Sequence, residues 1–389
     1  EGIYYFFKHN ADGTHDIVLC DGPSSHNEFD LGNIEFRHPG DGDDLKAYIR
    51  SWNIETRLQP EFYRVRDWDF LHPQQPVTGT ASAENPVVPG DAEIYEYPGE
   101  FVAEGEGNQY ANVRLQALTA QRSVIRGTTD HPAMAAGMKF TFKPDRHMYR
   151  NDQGKAYLVT SASYEIHVAP RVGGEPGSDG PPWACNFTAM DASVQFRTPR
   201  TTPKPIVQGP QTAIVTGKSD SEIDADEHGR VTVKFPWDLD PKYDDTSSIR
   251  VRVSQAWAGK GWGYLFTPRV GQEVVVEFLE GDPDRPLITG RVYNDENKPP
   301  YDPKQFPTIS VIKSSSSKGG EGFNELRFED KKDSEMIWMH AQKRMDIRVR
   351  GNYRETNYGN RDVRVGWESS DDSGGSYNIL VKEDVNEWI

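Results

Sequence analysis

Cysteine is scarce in this sequence, and histidine is never clustered. The chain of 389 residues has two cysteines, Cys20 and Cys185, which lie far apart. None of its ten histidines lies two to four residues from another, which is the spacing of local chelating pairs. Zinc sites need such pairs of Cys or His, and disulfide frameworks need more cysteines. We therefore expect two buried free thiols, no metal site and no cofactor.

Long hydrophobic runs are also missing. Hydrophobic residues make up 35% of the chain, but the longest apolar stretches are as short as Ile3–Phe7. A transmembrane helix needs about 18 or more consecutive apolar residues, and an export signal begins with a charged and then an apolar segment. We expect no stable membrane anchor. Because the chain begins at Glu1 and enters a strand-like run at once, we interpret it as a fragment whose upstream part is missing.

Positive charge is in deficit. The chain has 44 Lys and Arg against 60 Asp and Glu, so its formal net charge is −16. A protein that binds nucleic acid needs a surplus of Lys and Arg on the contact surface, so nucleic acid is not an expected partner. Aromatic residues between 237 and 266 could in principle stack on bases or sugars. We expect them instead to pack a barrel or a contact between subunits. They are Trp237, Trp257, Trp262, Tyr264 and Phe266.

Catalytic patterns are lacking as well. There is no Gly-x-Ser-x-Gly element and no phosphate-binding loop. The densest acidic cluster comprises Glu222, Asp224, Asp226 and Glu227. The segment Asp224–Gly229 resembles the first half of a calcium loop, but Phe235 stands at the twelfth position, where the bidentate Glu is needed. Glycosidases raise the pKa of one carboxyl group in an apolar pocket, whereas this cluster lies in a polar turn. We therefore expect a solvated hairpin turn and no enzyme.

Short β-prone segments separated by turns dominate what is present. The chain has 35 Gly and 27 Pro, scattered between apolar runs, a pattern typical of a mostly β protein. The Asp12-Gly13 pair predicts a hairpin in residues 1–20. The one good helix candidate covers Asn108–Ser123, and a later strand is predicted at Ala192–Arg197.

The segment 206–298 has the most regular alternation of apolar residues. It predicts five short strands with Gly-rich corners, which fit a small closed barrel of the OB type. Closure removes the exposed edges of the sheet. The candidate barrel core consists of Val231, Val233, Phe235, Val251, Val253, Val274, Val276 and Phe278.

The C-terminal part, 321–389, follows a Pro- and Ser-rich linker at 299–320 and differs in kind. Its apolar residues alternate in short extended runs, which alone cannot bury enough surface to offset the entropy of ordering. Such a segment predicts intertwining with identical copies; the alternative is an unstructured tail. The candidate core positions are Ile337, Met345, Ile347, Val349, Gly351, Gly359, Val363 and Val365.

Several motifs resemble one known family. Five of them follow one another in the barrel segment, and two more begin the C-terminal part: Gly209–Gly217, Asp226–Phe235, Val253–Gly259, Pro268–Val274, Gly281–Gly290, Gly322–Phe328 and His340–Lys343. They resemble the VgrG spike proteins of type VI secretion, which are similar to a phage tail hub fused to a cell-puncturing spike. The run Glu1–Phe7 resembles a strand of the hub.

The resemblance implies a mostly β architecture with three parts. These are a phage-hub-like β-barrel region at 1–205 without its first module, an OB-fold collar at 206–298, and the start of a trimeric β-helix needle at 321–389. It also implies a homotrimer that sits on an Hcp-type hexameric tube, carries a PAAR-type tip protein and secreted effectors, and punctures membranes. Such a spike is assembled in the bacterial cytoplasm and then translocated. The alternatives are a peptidoglycan hydrolase or a glycan-binding module of a phage-like baseplate.

Overall fold

The computed structural model describes residues 2–38, 47–83, 92–144, 151–166, 183–366 and 375–380. The chain divides into two compact units, Glu1–Pro203 and Lys204–Ile389, close to the predicted boundary after residue 205. No helix in the described part of the chain has the length and apolar character needed to cross a membrane.

The described residues of the N-terminal unit form eleven strands and one α-helix. Its elements are β1 (Tyr4–His9), β2 (His15–Cys20), β3 (Asp30–Glu35), β4 (Ile49–Thr56), β5 (Phe62–Asp67), β6 (Val77–Ser82), β7 (Glu93–Glu96), α1 (Glu104–Ala120), β8 (Ser123–Thr129), β9 (Lys139–Lys143), β10 (Ala156–Ile166) and β11 (Trp183–Asp191). The predicted hairpin at 1–20 is confirmed by the antiparallel pairing of β1 with β2.

A six-stranded sheet with the order β3-β9-β10-β11-β8-β4 carries the main core of this unit. Only β3 and β9 are parallel; the other neighbours are antiparallel. The core is aromatic: the ring of Trp52 stacks on Phe142 with centroids 4.1 Å apart, and its indole N–H donates to the buried Asp152 carboxylate at 3.2 Å. Cys185 lies in this core and Cys20 ends β2, and both are buried and unbridged, as predicted.

The helix α1 packs on a second sheet, with the order β6-β5-β7. The backbones of α1 and β6 approach closely at Gly107 and Gly79, since neither residue has a Cβ. A Cβ added at Gly79 would lie 2.0 Å from the carbonyl carbon of Gly107. The helix begins four residues before the predicted start at Asn108. Gly105 and Gly107 in the first turn have low helix propensity, so the sequence pattern did not predict this turn. Glu104 and Glu106 lie in the same turn, where their negative charge interacts favourably with the positive end of the helix dipole. The prediction also continued too far, since Ser123 already begins β8.

The strand predicted at Ala192–Arg197 was wrong. The strand in this region is β11, which ends at Asp191, and residues 192–194 form a turn. The Asp191 carboxylate accepts hydrogen bonds from the Ser193 N–H at 2.9 Å and from its hydroxyl at 2.6 Å. A side chain that binds the backbone two residues ahead favours a turn over a continued strand.

The described residues of the C-terminal unit form ten strands. They are β12 (Gln211–Thr216), β13 (Thr232–Lys234), β14 (Arg252–Val253), β15 (Ala258–Gly259), β16 (Trp262–Gly263), β17 (Glu273–Phe278), β18 (Pro286–Val292), β19 (Ile309–Lys313), β20 (Glu325–Glu329) and β21 (Met336–His340).

Five of these strands form a barrel-like sheet with the order β13-β12-β17-β18-β14. An isolated bridge between Val231 and Val251 joins its two ends. All eight candidate core residues lie in this unit's apolar cluster. Five are buried and three, Phe235, Val253 and Phe278, are partly buried against it. Ala213, Val215 and Ile288 complete the buried set.

Of the remaining strands, β15 and β16 pair with each other as a short hairpin, and the last three form an antiparallel sheet with the order β19-β20-β21. Its first strand, Ile309–Lys313, lies inside the segment predicted as the linker 299–320. That part of the segment is therefore an element of the sheet, because it pairs along its whole length with β20.

Candidate association surface of the C-terminal segment

The two faces of the β19-β20-β21 sheet differ in what covers them. Residues directly opposite each other on antiparallel strands point to the same face. Val311 thus shares a face with Arg327 and Trp338, whereas Ile312 shares the opposite face with Leu326 and Met339. Because side chains alternate along a strand, the register assigns every residue of the sheet to one face or the other.

The first face is covered by Tyr301 and a set of charges. The Tyr301 hydroxyl donates to the Glu325 carboxylate at 2.8 Å and accepts from the Arg327 guanidinium at 2.6 Å. Lys313 lies 3.6 Å from the same carboxylate, whose side chain is only 1% exposed. Two cations and a hydroxyl compensate the buried Glu325, as a buried charge requires. Tyr301 and these charges cover the middle of this face within one chain, while Trp338 and Met336 on β21 are 45% and 42% exposed.

The second face is apolar and uncovered in the single chain. We call it the open face, and its apolar residues are Ile312, Leu326, Phe328, Ile337 and Met339. Ile337 is 69% exposed and Met339 is 61% exposed. Isolated exposed apolar residues are ordinary, but a contiguous apolar face marks an interaction surface.

Beyond β21, the described chain from 341 to 366 has no strand of its own. Seven predicted core positions lie in it, and all are exposed. They are Met345, Ile347, Val349, Gly351, Gly359, Val363 and Val365. Charged residues such as Asp346 and Arg348 alternate with them, so an extended conformation would place the apolar and charged side chains on opposite sides. The assignment of these positions to a trimer core stays a prediction.

The acidic cluster at 222–227 connects parts of the C-terminal unit. The Glu222 carboxylate accepts from the Ser317 hydroxyl at 2.7 Å and from the Gly319 N–H at 2.5 Å. The Arg250 guanidinium donates to Asp224 at 2.8 Å. Asp226 accepts from the Arg230 N–H at 2.9 Å and thereby closes its own turn.

These contacts lower the pKa of three carboxyl groups in the cluster. The Ser317 hydroxyl lowers the pKa of Glu222, and the Arg250 guanidinium lowers that of Asp224. For Asp226, burial acts to raise the pKa, but hydrogen bonds from Arg230 outweigh it and the pKa falls. A glycosidase acid needs the opposite shift, so the contacts assign these residues to turn and loop structure.

A cavity of about 470 Å³ lies in the N-terminal unit, between α1 and the segment 198–202. Two of its lining residues, Arg114 and Arg200, both donate to the Glu96 carboxylate, at 2.6 and 2.9 Å. The Tyr63 hydroxyl donates to the same carboxylate at 2.6 Å. Among the described residues there is no group of three or more His, Cys, Asp or Glu side chains that could hold a metal ion.

Of the open face, only Ile337 was among the core positions predicted from the sequence. Ile312 was not predicted, because it lies in the segment 299–320 that was interpreted as a linker. Phe328 was not predicted, because it lies in the short motif Gly322–Phe328. A pattern could have found them, since Ile309-Ser-Val-Ile312 and Leu326-Arg-Phe328 alternate in the manner of half-buried strands. What sequence could not supply is the register that places them beside Ile337 and Met339.

Three protein families match successive parts of the chain. Residues 1–169 match the phage tail baseplate hub (GPD), and residues 211–293 match the type VI secretion system/phage-baseplate injector OB domain. Residues 310–389 match the bacteriophage T4 gp5 C-terminal trimerisation domain. The expected order of a hub region, an OB-fold and a trimerising segment in a mostly β chain is therefore confirmed.

Curated relatives share much of this sequence. The chain is 40% identical over 349 residues to the type VI secretion system spike protein VgrG1a of Pseudomonas aeruginosa, an alignment that covers 89% of this chain and 54% of that protein. It is 32% identical over 386 residues to the actin cross-linking toxin VgrG1 of Vibrio cholerae, covering 98% of this chain and 34% of that one. The chain thus spans about half the length of the Pseudomonas aeruginosa relative and about a third of the length of the Vibrio cholerae relative.

Among solved structures, similarity extends to an E. coli component of the type VI secretion system described as similar to the T4 tail proteins gp27 and gp5. The identity is 18%, the TM-score is 0.44, and the match covers 75% of this chain and 57% of that one.

Proposed function

This chain belongs to the VgrG family of type VI secretion spike proteins, and we propose that it is the structural core of a spike assembled from three copies. The observation that carries the proposal is the open face together with the exposed alternating residues at 345–365. They present exposed apolar side chains, and the described residues 341–366 form no strand within one chain. The match of residues 310–389 to a trimerisation domain supports three as the number of copies.

In the proposed assembly, residues 321–389 of three chains wind into a β-helix. Each strand then pairs with strands of the neighbouring copies, which gives hydrogen-bond partners to the backbone of residues 341–366, a described segment without a strand of its own. The apolar candidates face the common axis, and the alternating Arg, Asp and Glu residues face solvent. A tip that is pushed through an envelope must resist unfolding under load, and the relevant stability is kinetic. Continuous strand pairing along the axis would provide this kinetic stability.

We further propose a structural rather than a catalytic role for the described part of the chain. Its partners would be those that the family resemblance implies: an Hcp-type hexameric tube, a PAAR-type tip protein and secreted effectors. The spike would be assembled in the cytoplasm and translocated by the type VI system. The domain limits 1–205, 206–298, 299–320 and 321–389 belong to the same proposal, with β19 added to the trimerising segment.

The proposal is tested by the mass of the chain in solution. We expect sedimentation equilibrium to give three times the monomer mass for the wild type. Ile347→Asp with Val349→Asp should abolish the trimer, since six carboxylates would then line the axis. The matched control is Arg348→Asp with Arg350→Asp, which introduces the same groups on the alternate side of the same segment. A monomeric wild type, or equal losses in the two double variants, would contradict the proposal.

A further inference from the structure

An aromatic hairpin follows strand β14 of the barrel and exposes large apolar side chains. It is formed by β15 and β16 with the residues that follow them, and we call residues 255–266 the aromatic hairpin. Five large apolar side chains in it are exposed: Trp257, Trp262, Tyr264, Leu265 and Phe266. The most exposed is Leu265, at 76%.

The aromatic hairpin is held in one conformation by its own contacts. The rings of Trp257 and Trp262 meet edge to face with centroids 5.0 Å apart, and Tyr264 stacks on Phe266 at 5.9 Å. The Trp262 indole lies directly over Gly259, where a Cβ would come within 2.3 Å of the ring. A rigid aromatic surface loses little entropy when it binds, which is why such residues dominate protein contacts.

The position of the hairpin is fixed by the barrel topology. Strand β14 enters the hairpin, and it runs parallel to β18, so the hairpin leaves the barrel at the end where β18 finishes. The Arg291 guanidinium, near that end, donates to the Phe266 carbonyl. Just after the hairpin, Arg269 donates to the Ser315 carbonyl at 2.9 Å. The hairpin therefore lies at the end of the barrel that is bonded to the loop between β19 and β20.

Charge distinguishes this segment from the rest of the chain. Residues 254–270 contain no Asp or Glu and carry Lys260 and Arg269, whereas the whole chain has a formal charge of −16. Copies of such an acidic chain repel one another, and they approach most easily where one side of the contact lacks carboxylates. A cationic, apolar hairpin on an acidic chain is complementary to the surface of a second copy.

We propose that the aromatic hairpin is a second contact between copies, which joins neighbouring barrels next to the trimerising segment. This inference rests on the proposed trimer and adds a named surface to it. The hairpin and the open face are on elements bonded to each other in the same unit, so one threefold arrangement brings both against neighbouring chains. Trimer strength then depends on the barrel as well as on the C-terminal strands.

The test compares two exposed leucines of the same barrel unit. Leu265→Asp should weaken the trimer of the full chain about tenfold per contact and about a thousandfold over three contacts, since burying one leucine is worth that factor or more. Leu239→Asp, at a position that is 94% exposed in the loop after β13, should leave the dissociation constant unchanged. Sedimentation equilibrium over a range of concentrations measures both, and tryptophan fluorescence checks that the barrels are folded.

A second variant keeps the test decisive if Leu265→Asp misfolds. Lys260→Glu changes only the charge at the tip of the hairpin, and it should weaken the trimer at low salt and much less at high salt, where charge repulsion is screened. A trimeric wild type whose dissociation is unchanged by both variants would overturn this inference alone. A monomeric wild type would overturn the proposed trimer. Quenching of wild-type tryptophan fluorescence by soluble chito-oligosaccharides would assign the hairpin to glycans and overturn its role between copies.

Discussion

Replacing Ile337 with serine should weaken the trimer strongly without unfolding the chain. Ile337 lies on the open face and is 69% exposed in the single chain. Fully burying an isoleucine contributes about 1.5–3 kcal/mol, so burying the exposed remainder contributes about 1–2 kcal/mol per copy. Three copies give about 3–6 kcal/mol, which corresponds to a factor of roughly 10²–10⁴ in the dissociation constant of the trimer.

The control for this prediction is the neighbouring methionine. Met336→Ser removes a similar side chain from the same strand, but Met336 is opposite Glu329 and belongs to the face that Tyr301 and the charges occupy. We expect its effect on trimer dissociation to be less than about tenfold, because its side chain points away from the open face. Sedimentation equilibrium at several concentrations measures both constants. Equal effects of the two substitutions, or no effect of Ile337→Ser, would refute the assignment of faces.

Two further predictions concern the N-terminal unit. Gly79→Ala should destabilise it by about 1–3 kcal/mol through overpacking, because the new Cβ would lie 2.0 Å from the Gly107 backbone. Gly105→Ala is the control, since a Cβ there has nothing within 4 Å and should be neutral or stabilising. Urea unfolding followed by fluorescence compares the two variants, and equal midpoints would contradict the close approach of the two backbones. Burial lowers the pKa of His26, which stacks between Tyr4 and Phe6 and accepts from the Tyr4 hydroxyl at 2.9 Å. Its neutral form therefore stabilises the fold above its ordinary pKa of 6.5, and this contribution is lost as the pH falls below that value. The urea midpoint should drop between pH 7 and pH 5, and the drop should be smaller in His26→Gln; an identical drop would show that His26 is not responsible.

Local patterns were sufficient for much of the barrel. Val231 and Val233 alternate with polar residues, as do Val274 and Val276, and period-two alternation with one buried face leaves little freedom in which side chains point inward. The Asp12-Gly13 turn likewise specified its hairpin from two residues. The pattern was misleading after Asp191, where alternating apolar residues predicted a strand at Ala192–Arg197. The Asp191 side chain hydrogen-bonds to Ser193 and forms a turn there, which prevents that strand.

The sequence by itself determined the class of the fold, the order of the three parts and the resemblance to one family, because periodicity, turn residues and motifs are local properties of the chain. Only the tertiary structure decided that Ile312 and Phe328 lie beside Ile337 and Met339, and that the aromatic hairpin leaves the barrel next to the trimerising segment. Those relations depend on strand register and on which end of a barrel each loop leaves. Both are set by hydrogen bonds between residues distant in sequence, which no local pattern encodes.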